Sequence, residues 1–264
     1  MLLQLDVGNT RLKWRFVERA GEPSVRSGVL VRADFGSNQA LFEGVLSQLA
    51  LGERKAFDGR KALDEVQVAS VAGAEFDGEL ARWFSATLGV RAAFAVVSES
   101  ASGVVVGYDE PALLGVDRWL AVLAASAISN YQKVLVVDCG SAITIDILDS
   151  GVHRGGYIVP GMRLMVNALF KDTSQVKVAQ LPAGSGPGRS TSEAVNNGVL
   201  LMAAAFVEGV CRRCCFGAEE QWLLLLTGGD APLVSAALDV GVDQQLSEEL
   251  VLDGLALSEL VFKP

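Results

Sequence analysis

One histidine and four cysteines in 264 residues narrow the chemistry this chain can perform. His153 has no evident partner in the sequence and reads as a satisfied or exposed residue rather than a catalytic one. Three of the cysteines, Cys211, Cys214 and Cys215, crowd into one short segment, which makes a poor disulfide framework. A structural zinc needs about four ligands, and no second imidazole exists to complete one. The segment Val195 to Phe216 reads instead as a helix in which small thiols pack, and a reducing cytoplasm suits the chain. Basic residues are outnumbered, 22 against 31 acids, for a net charge of −9. No broad attraction to nucleic acid or an anionic membrane is expected, and an anionic substrate would need a local cation. A basic leader is missing from Met1 to Asp6, and the charge-free stretches fall short of the ~20 apolar residues of a membrane span. The expectation is a soluble, cytoplasmic protein with no membrane or nucleic-acid partner. A Walker A sequence is also missing, so a nucleotide here would not sit in a P-loop.

What the chain does have is one short pattern twice. Asp6-Val7-Gly8-Asn9-Thr10 ends the first apolar run, and Asp138-Cys139-Gly140-Ser141-Ala142-Ile143-Thr144 ends another 132 residues later, half of 264. In each, an apolar strand delivers an Asp to its tip, a Gly permits a tight turn, hydroxyl or amide side chains follow, and a second strand leaves. Two such hairpins suit a duplicated fold that grips a nucleotide between two halves.

The surrounding pattern is α/β. Strands are expected at Leu2 to Val7, Arg11 to Val17, Val25 to Val31, Val66 to Val71 and Arg91 to Val97, with helices over Gln39 to Leu51 and Phe76 to Leu88. Pro111 to Tyr131 reads as one long helix with Pro in its first turn. The second copy follows with strands at Val134 to Val137, Ile143 to Leu148, Val152 to Val159 and Leu223 to Leu226, and a helical segment from Ser247. Lys171 to Arg189 is expected to be a connection, its Gly184-Ser-Gly186-Pro-Gly188 a loop rather than a dinucleotide fingerprint.

The chemistry follows from the hairpins. Asp6 would hold Mg²⁺ directly or through water, Gly8 would let the backbone approach phosphates, Asn9 and Thr10 would donate hydrogen bonds, and Lys13 would neutralise charge. Ser141 and Thr144 repeat the hydroxyls beside the second turn, and Thr227-Gly228-Gly229-Asp230 adds a third turn suited to adenosine. Asp117 reads either as a general base or as an early-helix acid favoured by the dipole, and Arg118 either as a carboxylate fork or as a helix-surface ion pair.

These five ordered segments, with Gly115-Val116-Asp117-Arg118-Trp119 and Gly155-Gly-Tyr-Ile-Val-Pro160-Gly161 among them, resemble the type III pantothenate kinases of the acetate and sugar kinase, chaperone ATPase and actin superfamily. The resemblance implies two similar actin-like (ribonuclease H-like) domains with mixed five-stranded sheets and an ATP cleft between them, 1–116 and 117–264. It implies ATP-dependent phosphorylation of pantothenate, the first step toward coenzyme A. Asp6, Val7, Gly8, Asn9, Thr10, Arg11, Leu12, Lys13 and Ser141 would bind ATP. Tyr108, Gly115, Val116, Asp117, Arg118 and Thr191 would bind pantothenate, with Asp117 the base. Asp138 falls at the family's monovalent-cation position, so Mg²⁺ with ATP and K⁺ or NH₄⁺ are the expected cofactors. Ser141 departs from the family's usual Thr but keeps the hydroxyl. A homodimer with pockets near its interface is also implied. Alternatives are a nucleotide-binding accessory factor of transcription, the family being known also as Bvg accessory factors, and a kinase of the same fold for another small alcohol.

Overall fold

Gln4 is fully buried in the middle of the first strand, which a buried strand tolerates only if the amide is satisfied. The computed structural model, which describes residues 1–20, 22, 24–48, 63–128, 130–171, 184, 186–214 and 221–263, shows how. The strands are β1 (Leu2–Val7), β2 (Arg11–Val17), β3 (Arg26–Val31), β4 (Glu65–Ser70), β5 (Ala92–Val96), β6 (Ser100–Ala101), β7 (Val104–Val105), β8 (Lys133–Cys139), β9 (Ala142–Asp149), β10 (Val152–Pro160), β11 (Trp222–Thr227), β12 (Asp243–Leu246) and β13 (Glu259–Phe262). The helices are α1 (Asn38–Gln48), α2 (Ala74–Leu88), α3 (Val116–Ile128), α4 (Met162–Lys171), α5 (Thr191–Cys214), α6 (Ala231–Ala237) and α7 (Leu250–Gly254).

Contacts divide the chain into two compact units, Met1–Ala124 with Leu250–Pro264, and Ala125–Glu249. The sequence expectation had drawn its boundary after residue 116 and placed the C-terminus in the second half. In the first unit the sheet runs β13-β5-β4-β1-β2-β3. β1 to β3 form the expected antiparallel meander, and β4 and β5 lie parallel to β1. Here Gln4 finds its partners: its amide donates to Gln67 Oε1 at 2.9 Å, and its carbonyl accepts from Arg15 Nε at 2.7 Å. Arg15, itself buried, also pairs with Asp253 of α7 at 2.5 Å. The ammonium of Lys263 joins the buried Asp77 of α2, whose other oxygen accepts from Ser70. Those two ion pairs fasten the last residues of the chain to the first unit, since a buried charge left alone costs several kcal/mol, about 3–5.

The second unit repeats the plan. Its strands run β12-β11-β8-β9-β10 within a seven-stranded sheet, with β8 to β10 antiparallel and β11 and β12 parallel to β8. The order matches β5-β4-β1-β2-β3, which is the duplication that the two Asp-x-Gly hairpins announced. The sheets therefore hold six and seven strands rather than five each. α5 is long and apolar enough to cross a membrane by length and composition alone, the one such helix among the described residues. Its Leu200, Ala203, Val207, Val210 and Cys211 are buried in the second unit's core.

Three more expectations give way. Pro111–Leu113 is a single 3₁₀ turn, and the long helix expected to start there begins only at Val116, because Leu114 is extended with ψ 131°. The segment from Ser247 is helical over α7 and the 3₁₀ turn Leu255–Leu257 and then forms β13, which β5 recruits by antiparallel pairing. β12 and the β6–β7 hairpin were not anticipated, being short and, in β12, mostly polar and exposed throughout. The connection from Lys171 to Arg189 lies mostly outside the described residues, as does Cys215.

Candidate active site

In the first unit, the register of β1 against β2 sets Asp6 directly across from Lys13. Both are half-buried at the sheet's end, a carboxylate for a cation beside an ammonium for phosphate. The turn between the strands is closed by the Gly8 amide donating to Arg11 O at 3.0 Å, and Asn9 at its tip is exposed. Val7 and Leu12 are fully buried in the core, so of the expected ATP contacts these two are left only with their backbone.

A second cluster forms at the start of α3. The carboxylate of Asp117 caps its own turn, Oδ1 accepting from the Arg118 amide at 2.8 Å. An added Cβ at Gly115 would lie 2.6 Å from that oxygen, so only glycine leaves the carboxylate room there. Negative charge at this position is favoured by the helix dipole. Arg118 is buried, donates from one terminal nitrogen to Tyr108 Oη at 2.7 Å and holds its guanidinium 5.6 Å above the Tyr108 ring. The structure thus brings Tyr108, Gly115, Val116, Asp117 and Arg118 together, with a buried guanidinium beside the Asp117 carboxylate at the start of α3. Trp119, next in line, is completely buried and anchors the helix.

The second unit carries the third cluster. β8 and β11 run side by side in register, Asp138 opposite Thr227, and the turn after Thr227 returns so that the Asp230 amide donates to Cys139 O at 3.0 Å. Gly228 has φ +95°, and a Cβ there would stand 2.4 Å from Asp138 Oδ1 and 2.5 Å from Cys139 O. Gly161 is pressed as closely on the other hairpin, 2.4 Å from Gly140 O by the same measure. Glycine is thus what lets the turn after β11 approach the Asp138 carboxylate and the Cys139 backbone so closely. Burial, then the charges of Asp138 and Asp230, push the Cys139 thiol up to about 12.

The high pKa of Cys139 gives a stability prediction. In the unfolded chain the thiol ionises near 9.0, while in the fold it keeps its proton, so its contribution is complete below pH 9 and is lost progressively from pH 9 toward 12. The urea midpoint should fall over that range less steeply in Cys139→Ala than in the parent, and parallel slopes would contradict the assignment.

Thr191 is exposed at the first position of α5, behind a capping box in which Ser190 Oγ accepts from the Glu193 amide at 3.2 Å. Ser141 is exposed beside the Asp138 turn. His153 does have an acidic partner, contrary to the sequence reading: its Nε2 lies 2.7 Å from Asp146 Oδ1, and both residues are buried between β9 and β10. Strand pairing, shifted by the irregularity between His153 and Gly156, supplies what the spacing in sequence hid. Arg32, in no recognised motif, proves to touch the Gly8 turn, and only the register of β2 with β3 could have pointed to it.

A duplicated five-strand order carrying acid-tipped hairpins defines the actin-like α/β fold. Solved structures agree: a Campylobacter jejuni protein described as a Baf family transcriptional activator superposes with a TM-score of 0.56 at 18% identity, over 96% of this chain and 94% of that one. A Sinorhizobium meliloti protein described as a 2-dehydro-3-deoxygalactonokinase gives 0.50 at 12% identity over 97% of each. The family model for type III pantothenate kinase matches residues 2–213, and the type III pantothenate kinase of Alcanivorax borkumensis is 37% identical over 256 residues, 97% of each chain. The chain belongs to the type III pantothenate kinase family.

Proposed function

We propose that this protein transfers the γ-phosphoryl group of ATP to the primary hydroxyl of pantothenate, giving 4′-phosphopantothenate on the way to coenzyme A. The observation that carries the reading is the cluster at the start of α3, where a carboxylate and a buried arginine adjoin in a chain of this family. Arg118, braced by Tyr108, binds the substrate carboxylate beside Gly115 and Val116, and Thr191 falls at the family's further substrate-binding threonine. Asp117 accepts the proton of the attacking alcohol, a role typically contributing about 10²–10⁴-fold.

The Asp6 to Lys13 hairpin and Ser141 hold ATP, Lys13 offsetting phosphate charge. Mg²⁺ bound at Asp6 supplies further charge neutralisation on the transferring phosphoryl group. One carboxylate suits Mg²⁺, which usually keeps waters and substrate oxygens as its other ligands. Asp138, at the tip of β8 and at the family's monovalent-cation position, would hold K⁺ or NH₄⁺. Leu201 and Met202 of α5 and Tyr157 and Ile158 of β10 are large apolar side chains left exposed on the second unit, which supports a homodimer. A place in the cytoplasm, away from membranes and nucleic acid, accords with the acidic charge and the free thiols of Cys139, Cys211 and Cys214.

Purified protein given ATP, Mg²⁺ and K⁺ should release ADP only when pantothenate is added. Folded protein that binds ATP yet shows no pantothenate-dependent turnover with K⁺ or NH₄⁺ would overturn this reading.

A further inference from the structure

Arg32 follows the edge strand β3 and opens the 3₁₀ turn Arg32–Asp34. Three contacts fix it. Its backbone amide donates to Thr10 O at 2.9 Å, a terminal guanidinium nitrogen donates to Gly8 O at 2.9 Å, and the guanidinium lies 4.7 Å from the centre of the Phe76 ring. Phe76 is itself buried in the core of the first unit, so the cation is held between an immobile ring and a backbone carbonyl.

The carbonyl concerned is in the first phosphate hairpin. A carbonyl turned toward a phosphate repels it, whereas an amide attracts it, so the orientation of the Gly8–Asn9 peptide decides whether the turn is receptive. The peptide is planar, and no cis bond occurs among the described residues, so the Asn9 N–H points opposite to the Gly8 C=O. Arg32, by holding that carbonyl, keeps the Asn9 amide on the other side of the turn.

We infer that Arg32 is a positioning residue for ATP: it fixes the Gly8–Asn9 peptide so that the Asn9 amide faces the phosphates, and it does so through the turn rather than by bonding the nucleotide. The inference rests on the reading of this hairpin as the phosphate site. Arginine is required because one planar group must stack on Phe76 and donate to Gly8 O together, and the lysine ammonium does only the second.

The test is the affinity for Mg·ATP of wild type, Arg32→Ala and Arg32→Lys, read by calorimetry without acceptor, beside urea midpoints and the KM for pantothenate. Arg32→Ala should weaken ATP about tenfold, as expected for losing a charge-assisted hydrogen bond, with Arg32→Lys in between. Pantothenate KM should stay at its wild-type value, and the urea midpoint should fall only slightly, by the one internal hydrogen bond and ring contact removed. Unchanged ATP affinity in Arg32→Ala would overturn the inference, as would a joint loss of ATP affinity, pantothenate KM and stability, which marks a merely structural residue. If the alanine variant does not fold, Arg32→Lys decides by the same two criteria. Because ATP binding is read alone, failure of pantothenate turnover in wild type would sink the acceptor assignment and leave this measurement standing.

Discussion

Asp117→Asn should lower kcat about 10²–10⁴-fold while leaving ATP affinity and the unfolding midpoint unchanged. The substitution is nearly isosteric. Asparagine keeps an Oδ1 that can accept from the Arg118 amide, so the local turn is preserved, and it fits the space that Gly115 leaves beside the carboxylate. What disappears is the capacity to take a proton from the substrate alcohol. Removing charge from the helix start costs well under that in stability, about 0.3–1 kcal/mol for an exposed dipole interaction. Single-turnover measurement of phosphopantothenate formation checks it directly. An asparagine variant with near-wild-type turnover would remove Asp117 from the role of base, and a variant that loses ATP affinity as well would move it from chemistry to binding.

Gly228→Ala should damage both stability and nucleotide binding. Two costs coincide at this residue. Its φ of +95° is strained for any residue with a side chain, at about 1–3 kcal/mol, and the new methyl would lie within 2.6 Å of Cys139 backbone atoms that the strand pairing of β8 fixes. The Asp138 carboxylate, 2.4 Å away, would have to swing aside, which would disturb the cation position proposed there. A destabilisation of about 2–5 kcal/mol is expected in urea, with ATP affinity lost in step. The neighbouring Gly229→Ala serves as control. Equal midpoints for Gly228→Ala and wild type would show that the turn yields, and with it the argument for a glycine-dependent close approach to Asp138.

The sequence by itself determined the repeated architecture and the chemistry of its tips. Apolar runs long enough for one strand, each ended by Asp-x-Gly, specify a buried strand and a tight turn whatever the rest of the chain does, because those preferences act over neighbouring residues. The family's ordered motifs were legible for the same reason. Tertiary structure alone decided what depends on residues distant in sequence. β13 exists because the edge of β5 was open and Lys263 could reach the buried Asp77, a pairing no local pattern of four residues announces. The long helix expected from Pro111 was broken into a turn and α3 so that Gly115 and Asp117 could pack together. His153 gained Asp146 through a shifted strand register, and Arg32 reached Gly8 through the pairing of β2 with β3. Apart from the break before α3, which turns on neighbouring residues, a hydrogen bond or ion pair formed only once the sheet closed outweighed a weaker local preference.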